Sequence, residues 1–137
     1  MTIQVFIAIY RPIDDCDPSH WAIFLHNTDP TAGDTDVILQ VSDGKGGFGY
    51  FVEQSLYGEQ PSNSTRHDLS LCAGTITPGY FQYTVSVLLS VPVNNMTSIW
   101  NCRSWVFKAL DHIERMGIFQ WDASGKASAR ARYQQWQ

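Results

Sequence analysis

Residues 101–117, NCRSWVFKALDHIERMG, constrain the fold most, because they predict one amphipathic helix with both ends defined. Asn101 is a favourable N-cap, and Gly117 is a favourable residue just beyond the C-terminus. A helix with a single apolar face must cover another apolar surface, which the rest of the chain has to provide. The apolar face is formed by Cys102, Trp105, Val106, Ala109, Ile113 and Met116.

The surface that this helix covers is predicted to be a sheet. Thr2–Tyr10 alternates apolar residues with polar and mixed ones, which is the period of a strand. A second helix is predicted over Tyr80–Ser90, although its β-branched residues also fit a strand. Lys126–Gln137 fits either a short helix or a frayed tail. The further strands are predicted at Trp21–Leu25, Val37–Val41, Tyr50–Glu53 and Leu69–Thr77.

Composition excludes several classes of protein. A chain of 137 residues with 44% hydrophobic and 16% charged residues predicts one folded α+β domain that spans residues 1–137. The net charge of −4 argues against a nucleic-acid partner. No apolar run approaches the roughly 20 residues that span a bilayer. The first residues lack a basic region and a cleavage site, so we expect a cytoplasmic protein.

The three cysteines do not predict a disulfide framework, because an odd number in a cytoplasmic chain is not typical of one. Cys16 and His20 lie near Asp14, Asp15 and Asp17. No second cluster of ligands completes a tetrahedral set, so we expect no metal site and no cofactor.

Cys102 is the first candidate for catalysis, because it follows the predicted N-cap of the main helix directly. Converging backbone N–H groups and the positive end of the helix dipole favour a thiolate there. The same N–H groups can stabilise an oxyanion, so Asn101 and Arg103 join the candidate site as the cap and the next residue. A cysteine nucleophile needs a base, and His20, at the edge of the strand at Trp21–Leu25, is the candidate.

Each of these residues also fits a structural role, Cys102 as a small buried residue and His20 as a polar strand end. A catalytic role for His20 requires a third group that orients its imidazole. In a hairpin with its loop centred near Ala32, Gln40 lies roughly opposite Phe24 and close to Ala22. Gln40 then shares a face with His20 and accepts a hydrogen bond from its ring.

His26 shares the face of His20 but lies six residues along the strand, or roughly 20 Å, which is too far to orient His20 directly. Aromatic rings often line small-molecule sites, although we expect most of the aromatic residues of this chain to fill the core. Trp21 and Trp100, next to the two candidate catalytic residues, are therefore the candidate substrate-binding rings.

The motifs HWAIFL, from His20, and WNCRSWVFKALDHIE, from Trp100, resemble the permuted papain-like thiol enzymes. Within that superfamily the resemblance is to the lecithin:retinol acyltransferase-like group, in which the histidine strand precedes the cysteine helix. The resemblance implies a permuted papain-like fold, with Cys102 as nucleophile and His20 as base. The group commonly has a second histidine at the position of Gln40 and an acidic residue at the position of Arg103. Phospholipid is not implied as the substrate, because the membrane-anchoring segment of the acyltransferases has no counterpart.

The sequence thus predicts a cysteine-dependent enzyme that acts on an amide, ester or thioester of a small molecule or peptide. Hydrolase, acyltransferase and cyclase activities stay open, because the residues do not identify the acyl acceptor. The alternative is a degenerate member of the group that binds a ligand or a protein. A purely structural role for both motifs is the third possibility, and the oligomeric state is not readable from the sequence.

Overall fold

A computed structural model describes residues 3–11, 20–28, 36–43, 50–93 and 102–134. These residues form three helices and one six-stranded antiparallel sheet with the strand order β4-β3-β2-β1-β5-β6. None of the helices in these ranges is both long and apolar enough to cross a membrane. The strands are β1 (Ile3–Tyr10), β2 (His20–Asn27), β3 (Val37–Asp43), β4 (Tyr50–Gln54), β5 (His67–Ile76) and β6 (Phe119–Trp121), and the helices are α1 (Phe81–Ser90), α2 (Cys102–Arg115) and α3 (Ala123–Gln134).

Strand β2 lies inside the sheet and is buried on both faces. Trp21, Ile23 and Leu25 pack into the main core together with the buried residues of α2, and we name this side of the sheet the helix face. Ala22 and Phe24 point the other way, because successive strand residues alternate between faces. They pack in a smaller cluster with neighbours from β1 and β3, and we name this side the reverse face.

Helix α2 packs on the helix face, as its apolar period predicts. Its residues Trp105, Val106 and Ile113 are fully buried. Gly117 follows the helix with a φ of 81°, a left-handed conformation that ends helices and favours glycine. The predicted α+β class, with a small antiparallel sheet packed against the helix that begins at Cys102, is therefore confirmed.

Helix α1 resolves the ambiguity of residues 80–90 in favour of a helix, which buries Phe81, Val85 and Leu88. The residues of this segment that are β-branched do not prevent the helix, because its apolar face packs into the main core. Leu89, next to the buried Leu88, is 39% exposed.

Helix α3 begins before the segment that the sequence predicts. The carboxylate of Asp122 caps it by accepting hydrogen bonds from the Gly125 N–H (2.9 Å) and the Ser124 hydroxyl (2.7 Å). These bonds hold the pKa of Asp122 below its ordinary value. Gly125 is needed because a Cβ there would lie 2.0 Å from the Cys72 carbonyl oxygen on β5.

The variant Gly125→Ala should therefore destabilise the protein by about 1–3 kcal/mol, because either α3 or β5 must move to admit the methyl group. The free energy of unfolding in urea measures this loss. Ser128→Ala, on the exposed side of the same helix, should change it by no more than about 0.5 kcal/mol. Equal urea midpoints for the two variants would show that α3 does not pack closely on β5.

Candidate functional site

His20 begins β2, and its ring bonds to the side chain of Gln40 on the neighbouring strand. The ring atom Nε2 lies 2.8 Å from Oε1 of Gln40. The antiparallel register pairs Gln40 with Ala22 and Ile38 with Phe24. The hydrogen bond that strand parity predicts between His20 and Gln40 is therefore present. The register differs by two residues from the predicted pairing of Gln40 with Phe24.

Glu53 fixes which end of the Gln40 amide faces the histidine. The Gln40 Nε2 group donates to Oε1 of Glu53 at 3.2 Å. An ionised carboxylate only accepts hydrogen bonds, so the NH₂ end of the amide must face Glu53 and the carbonyl end must face His20. The carbonyl oxygen in turn requires a proton on Nε2 of His20. In the neutral ring Nδ1 is then the basic nitrogen.

Glu53 is a residue that sequence reasoning missed, because Tyr50–Glu53 is predicted only as extended structure. The register of β3 and β4 pairs Gln40 directly with Glu53. The Ser42 hydroxyl, two residues along β3, also donates to Oε1 of Glu53. A hairpin assumed from the sequence to be centred on the glycines near residues 46 and 47 would have placed Glu53 opposite Gln40.

Two further rings extend this chain of polar groups across the sheet. Tyr10 on β1 pairs with His20, and the two ring centres lie 5.7 Å apart. His67 on β5 lies on the other side of Tyr10, also with ring centres 5.7 Å apart. Burial raises the pKa of Tyr10, so its phenol is protonated at neutral pH. Five strands thus contribute one side chain each to a transverse polar row, made of Glu53, Gln40, His20, Tyr10 and His67.

His26, at the far end of β2, has a different partner. Its Nδ1 lies 2.6 Å from Oδ1 of Asp36, a side chain that is 8% exposed. The Gln60 side-chain amide donates to the other carboxylate oxygen, Oδ2 of Asp36. Asp36 therefore connects β2 to the segment between β4 and β5, and the His26 ring is oriented by Asp36 rather than by His20.

Helix α2 begins at Cys102, and its side chains are described from Arg103 onward. Arg103 is 4% exposed, and its guanidinium carbon lies 5.5 Å from the centre of the Tyr133 ring. The Ser104 hydroxyl lies 3.0 Å from the Tyr133 hydroxyl. The first turn of α2 is thereby packed against α3 and carries a buried cation.

Trp21, a candidate substrate-binding ring, lies in the core instead. It is 1% exposed, and its ring centre lies 5.9 Å from that of Phe107 on α2. The odd residues of β2 face the helix, which is why this tryptophan is buried. Trp100 and Asn101 lie outside the described residues, as do Cys16 and the aspartates around it.

A cavity of about 260 Å³ lies between α2 and α3. It starts at Ser104, two residues after Cys102, and Phe107 forms one of its walls. Arg130 lies over the Phe107 ring, with 5.5 Å between its guanidinium carbon and the ring centre. The sequence did not predict this cavity, because one side of it is α3. It is lined by Ser104, Phe107, Asp111, Arg130, Tyr133 and Gln134.

The candidate residues therefore lie on two sides of the sheet. His20, Gln40 and Glu53 have the strand parity of the reverse face, whereas α2 packs on the helix face. His20 is the first residue of β2 and is half-buried, so its ring lies at the end of the strand.

Fold and site together define a small α+β domain in which a histidine, an amide and a carboxylate are joined by hydrogen bonds across the sheet. Residues 5–120 match the model of a family of unknown function, DUF6540, and the chain belongs to this family. No curated protein and no solved structure matches the chain significantly.

We expect Asp36→Ala to destabilise the protein by about 1–3 kcal/mol, because it leaves His26 and Gln60 without their shared acceptor in a partly buried place. Thermal or urea unfolding measures this loss. Asp68→Ala, at an exposed position on β5, is the matched control and should cost no more than about 0.5 kcal/mol. A loss for Asp36→Ala as small as that of the control would contradict the anchoring role of Asp36.

Proposed function

We propose that this protein is a cysteine-dependent enzyme of acyl chemistry, with Cys102 as the nucleophile and His20 as the general base. One observation carries the proposal: Gln40 accepts a hydrogen bond from Nε2 of His20, so Nδ1 is the basic nitrogen of the neutral ring. A base whose second nitrogen is held by a neighbouring side chain is the arrangement that activates thiol and hydroxyl nucleophiles.

The start of α2 supplies the second half of the proposal. Cys102 is the first residue of a helix of 14 residues, where the dipole and the converging N–H groups favour a thiolate. The buried Arg103 adds a positive charge directly after it. Both effects lower the cost of ionising the thiol in the resting protein.

The order of elements supports membership of the permuted papain-like group. A histidine strand in an antiparallel sheet comes first, and a helix that begins with cysteine comes later and packs on that sheet. The proposed fold class beyond α+β rests on this order and on the two sequence motifs.

In the proposed reaction Nδ1 of His20 takes the proton of the Cys102 thiol, and the sulfur attacks the carbonyl carbon of the substrate. A C–S bond forms, and the carbonyl oxygen becomes an oxyanion that the N–H groups at the start of α2 stabilise. The imidazolium then returns its proton to the leaving group as the bond to that group breaks. Water, an amine or a hydroxyl completes the cycle by taking the acyl group from Cys102.

The cavity between α2 and α3 is the proposed place for the non-reacting part of the substrate. Its nearest lining residue on α2, Ser104, lies about 3 Å along the helix axis and about 200° around it from Cys102, so the substrate would extend from the cavity around the start of α2 to reach the thiol. Its wall combines the Phe107 and Tyr133 rings with one carboxylate, Asp111, and one guanidinium, Arg130. Such a wall suits an amide, ester or thioester of a small molecule or peptide that has both an apolar body and polar ends.

A second candidate function is a ligand- or protein-binding module that retains the fold without the reaction. The observation that favours it is strand parity, because the transverse polar row lies on the reverse face while α2 packs on the helix face. In this case the polar row itself is the binding surface, and His20 and Cys102 do not meet.

The reaction of the cysteines with iodoacetamide separates the two candidates. Near neutral pH only a few per cent of an ordinary thiol is ionised, so an activated Cys102 should be alkylated about tenfold or more faster than Cys72, which is exposed. Mass spectrometry of peptides reports each site separately. The variant His20→Ala should remove the advantage of Cys102.

His112→Ala is the matched control, because this histidine lies in the last turn of α2, away from Cys102. It should leave the rapid labelling unchanged. Slow, equal labelling of Cys16, Cys72 and Cys102 in the unaltered protein would overturn the enzymatic proposal and favour the binding module.

A further inference from the structure

We propose that Glu53 is a positioning residue for His20. Glu53 acts through Gln40 and decides which imidazole nitrogen of His20 carries the proton. Its part in catalysis rests on the proposed function, whereas its effect on the ring does not. Three hydrogen bonds define the chain: His20 to Gln40, Gln40 to Glu53, and Ser42 to Glu53.

The Gln40 amide is the first link between Glu53 and the ring. A glutamine side chain is nearly symmetric in shape, so its two ends can exchange unless its partners distinguish them. Glu53, which has only acceptor oxygens when ionised, attracts the NH₂ end of Gln40 and rejects the carbonyl end. The amide is therefore held in one orientation by its partner on β4 rather than by its own strand.

The orientation of the Gln40 amide decides which nitrogen of the neutral His20 ring carries the proton. If the amide turned over, its NH₂ end would face His20, and Nε2 would have to accept instead of donate. The proton of the neutral ring would then lie on Nδ1, which could no longer take a proton from a thiol. The orientation set by Glu53 thus decides whether Nδ1 can act as a base.

The negative charge of Glu53 favours the imidazolium form of His20. Gln40 is neutral and cannot by itself stabilise an imidazolium ion, unlike a carboxylate in the same place. Glu53 provides that negative charge one side chain further away, at a half-buried position where it is less screened than on an open surface. The amide bonded between the two groups is polarised in the direction that favours the imidazolium.

Ser42 has a separate role, because its hydroxyl bonds to Glu53. Its hydroxyl donates to the same carboxylate oxygen as Gln40 and fills a second acceptor position of Glu53. Removing this hydroxyl should weaken the hold on Glu53 but should leave the amide orientation, since the carboxylate still accepts only. Ser42→Ala therefore tests general damage to this place without changing the proposed mechanism.

The test is ¹⁵N NMR of the full chain, labelled on histidine, in the unaltered protein and in Glu53→Gln. Chemical shifts of the two ring nitrogens report the tautomer of His20 above the pH at which the ring ionises. The unaltered protein should show the Nε2–H tautomer. In Glu53→Gln two amides face each other, either can donate, and we expect a mixture of both tautomers.

Glu59→Gln is the matched control, because the Glu59 carboxylate accepts a hydrogen bond from the exposed Asn63 side chain and not from Gln40. It and Ser42→Ala should keep the Nε2–H tautomer. The same tautomer in Glu53→Gln as in these controls would overturn the role of Glu53, as would a mixture of tautomers in the unaltered protein.

Labelling of Cys102 by iodoacetamide separates this inference from the proposed function. If Glu53 acts as proposed within an enzyme, Glu53→Gln should slow the rapid labelling of Cys102 severalfold, while unfolding in urea stays close to that of the Ser42→Ala variant. If the tautomer changes but Cys102 reacts slowly in every variant, the enzymatic proposal fails and the positioning role of Glu53 stands.

Discussion

Strand β2 is the constraint on which both halves of this molecule depend, because it has to bury side chains on its two faces at once. Its odd residues, with Trp21 the largest, fill the space under α2, and each such side chain contributes roughly 1.5–3 kcal/mol when it leaves water. Its even residues, which include His20, lie on the reverse face, where Ala22 and Phe24 join a smaller cluster. A slip of one residue would place His20 under α2 and move Trp21 to the reverse face. The apolar contacts therefore fix the position of the histidine.

The pairing of β2 with its neighbours then determines the chemistry available to His20. Gln40 is opposite Ala22, Glu53 is opposite Gln40, and Tyr10 is opposite His20. Tyr10, His20, Gln40 and Glu53 are ten or more residues apart in the sequence. The sheet brings an amide, a carboxylate and a phenol to one imidazole through backbone pairing, and the proposed tautomer of His20 is a consequence of that register.

Regular elements follow from the sequence because their apolar periods record which face is buried. The helix at Cys102 and the strand with His20 are examples, and the reach of Gln40 follows from strand parity. Trp21 shows the limit of such reasoning, because a tryptophan beside a candidate catalytic residue suits a pocket and a core equally well until the face is known. The position of Glu53 could be predicted only from the pairing of β3 with β4, which the pattern of a single strand does not contain.

Short or polar elements were harder to predict for a different reason. Strand β6 has three residues and exists because it pairs with residues 74–76 of β5, a contact between distant parts of the chain. Helix α3 has a weakly apolar face and is held by the Asp122 cap and by the close approach of Gly125 to β5. Residues of α3 form one side of the cavity between α2 and α3, so the sequence did not predict the cavity either.

In the proposed enzyme Cys102 and His20 form one catalytic pair, which requires the start of α2 to reach the histidine around the end of β2. The most direct measurement is the distance between the Cys102 sulfur and Nδ1 of His20 in a crystal structure of the full chain at neutral pH. The account predicts a separation of no more than about 4 Å, which allows for the loose geometry of a resting site. A sulfur enclosed on the helix face, with the sheet between it and the ring, would contradict it.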